Sequence, residues 1–181
     1  MQDSGGGRPK GLVMVFTGDG KGKTTAALGQ ALRAIGHGGR VYMVQFMKGD
    51  ERYGELQAAR KYLPPLTLVQ SGLSTFVTRG RPGPEDLRLA ARGLELAREA
   101  LTGGEYDLVV LDEVNVAIDY GLLSLEAVLE TLHSRAPGVD VVLTGRYAPQ
   151  ALIAAADMVS EVREVKHHYR QGVPGRRGIE F

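Results

Sequence analysis

Residues 17–32 read TGDGKGKTTAALGQAL, and their glycines, lysines and threonines have the types and spacing that hold phosphate. Glycine lets backbone N–H groups crowd around an anion, and the start of a following helix adds partial positive charge. In that chemistry Gly18, Asp19, Gly20, Lys21 and Gly22 form a cradle. Lys23 reaches phosphate oxygens, and the hydroxyl of Thr24 or Thr25 ligates Mg2+. The usual spacing G-x-x-x-x-G-K-[ST] fails at its first position, however. Counting back from Gly22-Lys23-Thr24 reaches Thr17, and Gly18 comes one residue late. A second motif, DLVVLDEVN, sets Asp112 and Glu113 at the end of an apolar run. From there either carboxylate meets Mg2+ held at the phosphates or the waters around it.

These residues need elements to hold them. Apolar runs occur at 12–17, 40–46, 66–70, 107–113, 140–145 and 158–162. Most are apolar on successive residues, as in parallel strands buried on both faces. Between them Ala27, Leu28, Ala31, Leu32 and Ile35 repeat at helical spacing, and GHGG stops that helix. Leu87, Ala90, Ala91, Leu94, Ala97 and Leu101 form a second stripe after PGPED. Leu125, Val128, Leu129 and Leu132 form a third, with Ser124 as N-cap. Strand–helix alternation predicts an α/β fold: one open, mostly parallel sheet of about six strands, with right-handed crossovers and flanking helices. No internal repeat or linker divides the chain. Residues 1–10 are expected to be a flexible segment and 11–181 a single domain.

Composition narrows the function. The 181 residues carry a formal net charge of +1, which argues against a general nucleic-acid binder. The absence of cysteine excludes disulfides, a thiolate nucleophile and cysteine-ligated iron–sulfur clusters. No apolar run approaches the length of a membrane span, and MQDSGGGRPK lacks the apolar core of a signal peptide. A cytoplasmic protein is expected.

Taken together, GLVMVFTGDGKGKTTAALGQALRAIGHGGRVYMVQFMKG, DLVVLDEVNVAIDYGLL, VVLTGRYAP and ADMVSEVREVKHHYRQGVPGRRGIEF resemble the P-loop type of ATP:corrinoid adenosyltransferase. The resemblance runs from Gly11 onward, with TGDGKGKTTAA, VQFMKG, LDE, TGR, KH and GIEF in the family's order. It implies a P-loop NTPase-like fold and transfer of the adenosyl group of ATP to the cobalt of a corrinoid, with triphosphate as leaving group. Members bind ATP in a sense reversed from ordinary P-loop NTPases, so the shifted glycine fits a loop that cradles a triphosphate. The resemblance implies Mg2+, an external flavin or flavoprotein reductant to supply Co(I), and a homodimer, while charge and hydropathy lead one to expect neither nucleic acid nor membrane as partner. Arg146 of TGR and Lys48 after VQFM are then expected at the phosphates. His167, at the KH position, either lines the site or shapes the C-terminal tail, 164–181, which is expected to pack near the nucleotide. Arg176 and Arg177 read most simply as solvated charges, and His37 as helix-ending structure.

Two departures stand out. Many members carry GFTW after the third strand, with aromatics pressed on the corrinoid. Here the stretch is SGLSTFVTRG, with no tryptophan in the chain. Phe76, with Leu73 beside it, either takes that role or packs in the core. MQDSGGGRP is also too short and glycine-rich for the N-terminal helix of some relatives, so lid behaviour is not carried over. The competing readings are a P-loop kinase of a small metabolite and a nucleotide-sensing ATPase module. Both leave the C-terminal match unexplained.

Overall fold

A computed structural model describes residues 10–180. The expected flexible segment, apart from Lys10, lies outside the described residues. The chain runs β1 (Val13–Thr17), α1 (Lys23–Gly36), β2 (Val41–Phe46), α2 (Gly54–Tyr62), β3 (Leu66–Ser71) and α3 (Pro84–Thr102). It continues through β4 (Leu108–Asp112), α4 (Val114–Asp119), α5 (Leu125–His133), β5 (Asp140–Thr144), α6 (Gln150–Ala155) and β6 (Met158–Glu161), followed by a 3-10 turn at His168–Gln171.

The six apolar runs are the six strands. They form one sheet in the order β3-β2-β4-β5-β1-β6, and every pairing is parallel. β2 and β4 are buried along their whole length, which is why they read as unbroken apolar runs. β6 has β1 as its single neighbour, and all four of its residues are exposed. Apolar residues there therefore do not mark two-sided burial.

Each face of the sheet carries its own core. On one, Met14, Phe16, Val41, Met43 and Val110 pack with Ala27 and Ala31 of α1. On the other, Val15, Val44, Val109 and Leu111 pack with Leu94, Ala97 and Leu101 of α3 and Val128 of α5. Small residues at 27, 31 and 97 let the helices approach the sheet closely. Leu32 and Leu87, expected on the buried stripes, instead face outward.

The helix boundaries have local causes. Gly38, at φ +84°, follows the end of α1. Pro84 opens α3, where Asp86 accepts the Gly83 N–H at 2.9 Å. Ser124 caps α5 as expected, its hydroxyl accepting the Ala127 N–H at 3.1 Å. Among the described residues no helix is long and apolar enough to cross a membrane. The connections after β1, β2, β4 and β5 all emerge at the carboxyl edge of the sheet, where open α/β folds hold ligands.

Candidate active site at the carboxyl edge of the sheet

The loop 18–22 joins β1 to α1, and its glycines answer to different constraints. Gly18 has φ +98°, and a Cβ on it would lie 2.4 Å from the Val162 carbonyl oxygen. A Cβ on Gly20 would lie 2.7 Å from the Arg163 carbonyl carbon. The Gly20 N–H also donates to the Val162 carbonyl at 2.7 Å. Gly22, at φ +122°, has open space around it, so its backbone conformation alone calls for glycine. The late glycine thus has a packing reason: position 18 presses on the chain leaving β6. Thr17, in the usual glycine position, accepts the Ala148 N–H on its hydroxyl at 3.3 Å.

Lys23 begins α1 and is only 7% exposed. Its ammonium donates to the carbonyls of Gly18 and Gly20, both at 2.8 Å, and so closes the loop on itself. Burial pushes its pKa below the ordinary lysine value, opposed by the charge of Glu113. Arg146 is exposed beyond β5 and donates to the Asp19 carbonyl at 3.1 Å.

Asp112 ends β4 with a fully buried side chain that four donors surround. The Thr24 and Thr144 hydroxyls donate to one carboxylate oxygen at 2.8 and 2.6 Å. Lys48 and the Gln45 amide donate to the other at 2.9 and 3.2 Å. Gln45 also donates to Glu55 at 2.9 Å. Burial pulls the Lys48 ammonium down. The charge and hydrogen bond of Asp112, with help from Glu55 and Glu113, outweigh burial and leave its pKa above the ordinary value. Glu113 adopts the left-handed conformation at φ +63° and donates its N–H to Thr144 at 2.9 Å. Burial, then the Asp112 charge, push its carboxyl upward.

Two cavities open on these residues. The first, of about 560 Å³, is lined by Gly20 to Thr25, Lys48, Glu55, Glu113 and Arg146, with Leu28, Val116, Tyr120 and Tyr147 as its less polar wall. His167 and the tail residues Gly178, Ile179 and Glu180 border it too. Glu180 accepts the Arg176 N–H at 2.7 Å and lies 3.5 Å from the His168 ring. The second cavity, of about 1,040 Å³, is lined by Leu73, Phe76, Tyr53, Tyr62, Lys61 and Arg177 among others. Lys48 and Gly54 border both. Phe76 is fully exposed, which excludes the core-packing alternative. His167 lies at the loop-side cavity, apart from Leu73 and Phe76. Arg177, read as a solvated charge, borders the larger one.

The position of Lys48 depends on a tight crossing. A Cβ on Gly49 would sit 2.2 Å from the Gly72 carbonyl oxygen, and one on Gly72 would sit 2.6 Å from the Lys48 nitrogen. Gln45, Glu55, Thr144, Tyr120 and Tyr147 were not anticipated from the sequence. Gln45 carried a usable signal, a lone polar residue inside an apolar run. Glu55 carried none.

The sheet resembles two solved structures. The flagellar accessory protein FlaH from Methanocaldococcus jannaschii matches with a TM-score of 0.55 at 16% identity, covering 87% of this chain and 73% of that one. The RadB recombinase matches with a TM-score of 0.55 at 19% identity, covering 90% and 79%. These likenesses bear on the fold, which is RecA-like. Sequence relatives reach further. The Corrinoid adenosyltransferase of Escherichia coli strain K12 is 39% identical over 173 residues, 95% of this chain and 86% of that protein. That of Pseudomonas aeruginosa is 37% identical over 173 residues, 95% and 84%. The Corrinoid adenosyltransferase CobA of Salmonella typhimurium is 37% identical over 172 residues, 95% and 86%. Residues 9–181 match the family described as ATP:corrinoid adenosyltransferase BtuR/CobO/CobP, and to that family this chain belongs.

Proposed function

We propose that this protein transfers the 5′-deoxyadenosyl group of ATP to the cobalt of a corrinoid, in cobalamin biosynthesis, and releases triphosphate. The observation that carries the reading is the pair of adjoining cavities: a polar one on the phosphate loop and a larger one whose wall includes Tyr53, Tyr62, Leu73 and Phe76, sharing Lys48.

In the reaction the electron pair of Co(I) attacks the ribose C5′ carbon. A cobalt–carbon bond forms, the C5′–O bond breaks, and its electrons leave with triphosphate. No proton is removed from the nucleophile, so no general base is needed. Negative charge grows on the departing oxygen instead, and fixed positive charge there lowers the barrier. Lys23, Arg146 and the loop N–H groups would hold the phosphates. Lys48, at the junction of the cavities and kept protonated by Asp112, would meet the charge nearest the bond that breaks. Leu73 and Phe76 would contact the corrinoid, and the shared wall would bring cobalt in line with C5′.

The donor set suits Mg2+: Thr24 and Glu113 offer hard oxygen atoms on the wall of the cleft, and the buried Asp112 accepts from the Thr24 hydroxyl behind them. Thr24 with Glu113 would hold the ion, Asp112 steadying the Thr24 hydroxyl from behind, and the bound ion would neutralise part of the triphosphate charge. An external flavin or flavoprotein, the reductant that the family resemblance implies, would supply the electron for Co(I). Cytoplasmic location and a homodimer belong to the same reading.

The test is anaerobic incubation with Mg2+, ATP and chemically reduced cob(I)alamin, followed by spectroscopy of the corrinoid and chromatography of the phosphates. A light-sensitive alkylcorrinoid with stoichiometric triphosphate is expected, with kcat reduced about 100-fold or more in Lys23→Ala. ADP without alkylated corrinoid would overturn the reading in favour of a kinase or ATPase.

A further inference from the structure

The larger cavity carries an uneven set of charges. Arg52 is paired with Asp50 at 2.7 Å, and Glu51 with Arg60 at 3.2 Å. Lys48 is held by Asp112 at 2.9 Å and lies 3.5 Å from Glu55. The remaining charged side chains of its wall are Lys61 and Arg177, both cations. Among the described residues neither has an acidic partner. Lys61 instead lies 5.0 Å from the centre of the Tyr62 ring, which lines the same cavity. A concave wall with aromatic and aliphatic patches therefore carries two positive charges that no acidic side chain among the described residues pairs with.

We infer that Lys61 and Arg177 form an anion subsite that selects, among corrinoids, those carrying a negative group outside the ring. This rests on the activity proposed above and adds the class of acceptor. A corrin ring bears peripheral side chains that are neutral as amides and anionic as free acids. Corrinoids with a nucleotide tail also carry a phosphodiester. Either anion supplies the missing partner, and a fully amidated, tail-less corrinoid supplies none. The apolar wall would accept the ring in every case, so the cations act on discrimination rather than on the chemical step. Both are exposed, so their contribution is screened by water and salt.

Three acceptors of nearly equal size separate the sources. Cobinamide has neutral side chains. Cobinamide phosphate adds one phosphate ester, and cobyric acid carries one carboxylate where cobinamide carries an amide. Each is reduced to Co(I), and kcat/KM is measured with ATP for the wild type and for the Lys61→Gln, Arg177→Gln and double variants. The readout is the ratio between two acceptors on one preparation, so the active fraction cancels. The single variants keep it readable where the double variant folds poorly.

The wild type is expected to prefer at least one anionic corrinoid over cobinamide by roughly tenfold at low salt, the scale of two screened ion pairs. The preference should shrink towards unity in the double variant and at about 0.5 M salt. A preference for the phosphate ester alone assigns the subsite to the tail. A preference for cobyric acid alone assigns it to the ring periphery. Equal kcat/KM for all three in the wild type overturns the inference, as does a preference that survives both the double variant and high salt. Adenosylation of none of the three overturns the activity itself, a different result from adenosylation of all three alike.

Discussion

Lys48 Nζ lies 2.9 Å from Oδ2 of the fully buried Asp112, and Lys48 itself borders both cavities. Removing one member of such a pair leaves a charge without a partner, at a cost of about 3–5 kcal/mol. Lys48→Met should therefore lower stability by that order, measured by urea unfolding. Adding Asp112→Asn should recover much of the loss and none of the adenosyl transfer. Simple additivity of the two stability changes would show that the pair is not coupled.

Glycine at position 18 is a conformational and a packing requirement together. Gly18→Ala must hold a methyl group at φ +98° and 2.4 Å from the Val162 carbonyl oxygen. A loss of about 1–3 kcal/mol and weakened ATP binding are expected. Gly29 lies within α1, with nothing within 4 Å of its added Cβ. Gly29→Ala should raise stability by about 0.5–1 kcal/mol. Thermal unfolding of the two variants beside wild type gives opposite signs if the loop, and not glycine content, is what matters.

Full exposure of Phe76 makes its stability role small and its contact role testable. Phe76→Ala should change folding stability by less than about 0.5 kcal/mol. It should lower kcat/KM for the corrinoid about tenfold or more, since covering a phenylalanine contributes about 1.5–3 kcal/mol. Unchanged kinetics would remove Phe76 from the corrinoid contacts.

Asp157 gives the fold an acid dependence outside the active site. Its carboxylate accepts the Val13 N–H at 2.8 Å, which holds its pKa below the ordinary aspartate value, with Lys10 assisting. Folding thus favours the ionised form. The stabilisation is complete above the unfolded pKa of about 3.9 and drains away as pH falls through the lower folded value. The urea midpoint of Asp157→Asn should fall less than that of wild type between pH 6 and pH 3.

The strands were legible because burial on both faces writes itself as consecutive apolar residues, as in β2 and β4. Long helices with one buried stripe were equally plain. α4 and α6 were not, because six residues span too few turns to establish a period, and α2 was not, because only Leu56 and Ala59 of its nine residues are buried. The motif residues Lys23, Thr24, Lys48, Glu113 and Arg146 do converge on one cleft. Asp112 does not face it directly, because its carboxylate is committed to four donors from separate elements. That arrangement depends on β2, β4, β5 and α1 meeting at one point, which no local pattern encodes. Glu55 became a neighbour of Lys48 in the same way, through the chain path after β2. The shifted glycine was visible as an anomaly, but its packing reason sits more than 140 positions later, at Val162.

That last contact has a dynamic consequence. β6 is an edge strand with four exposed residues and one partner, so its amides should exchange with solvent well before those of β4. Yet the Gly20 N–H is anchored on the Val162 carbonyl just beyond β6, and Gly18 rests against the same atom. Each fraying of that margin would release the cradle that receives the phosphates. Occupancy of the cradle should in turn slow exchange along Met158–Glu161, although no substrate atom need touch that strand.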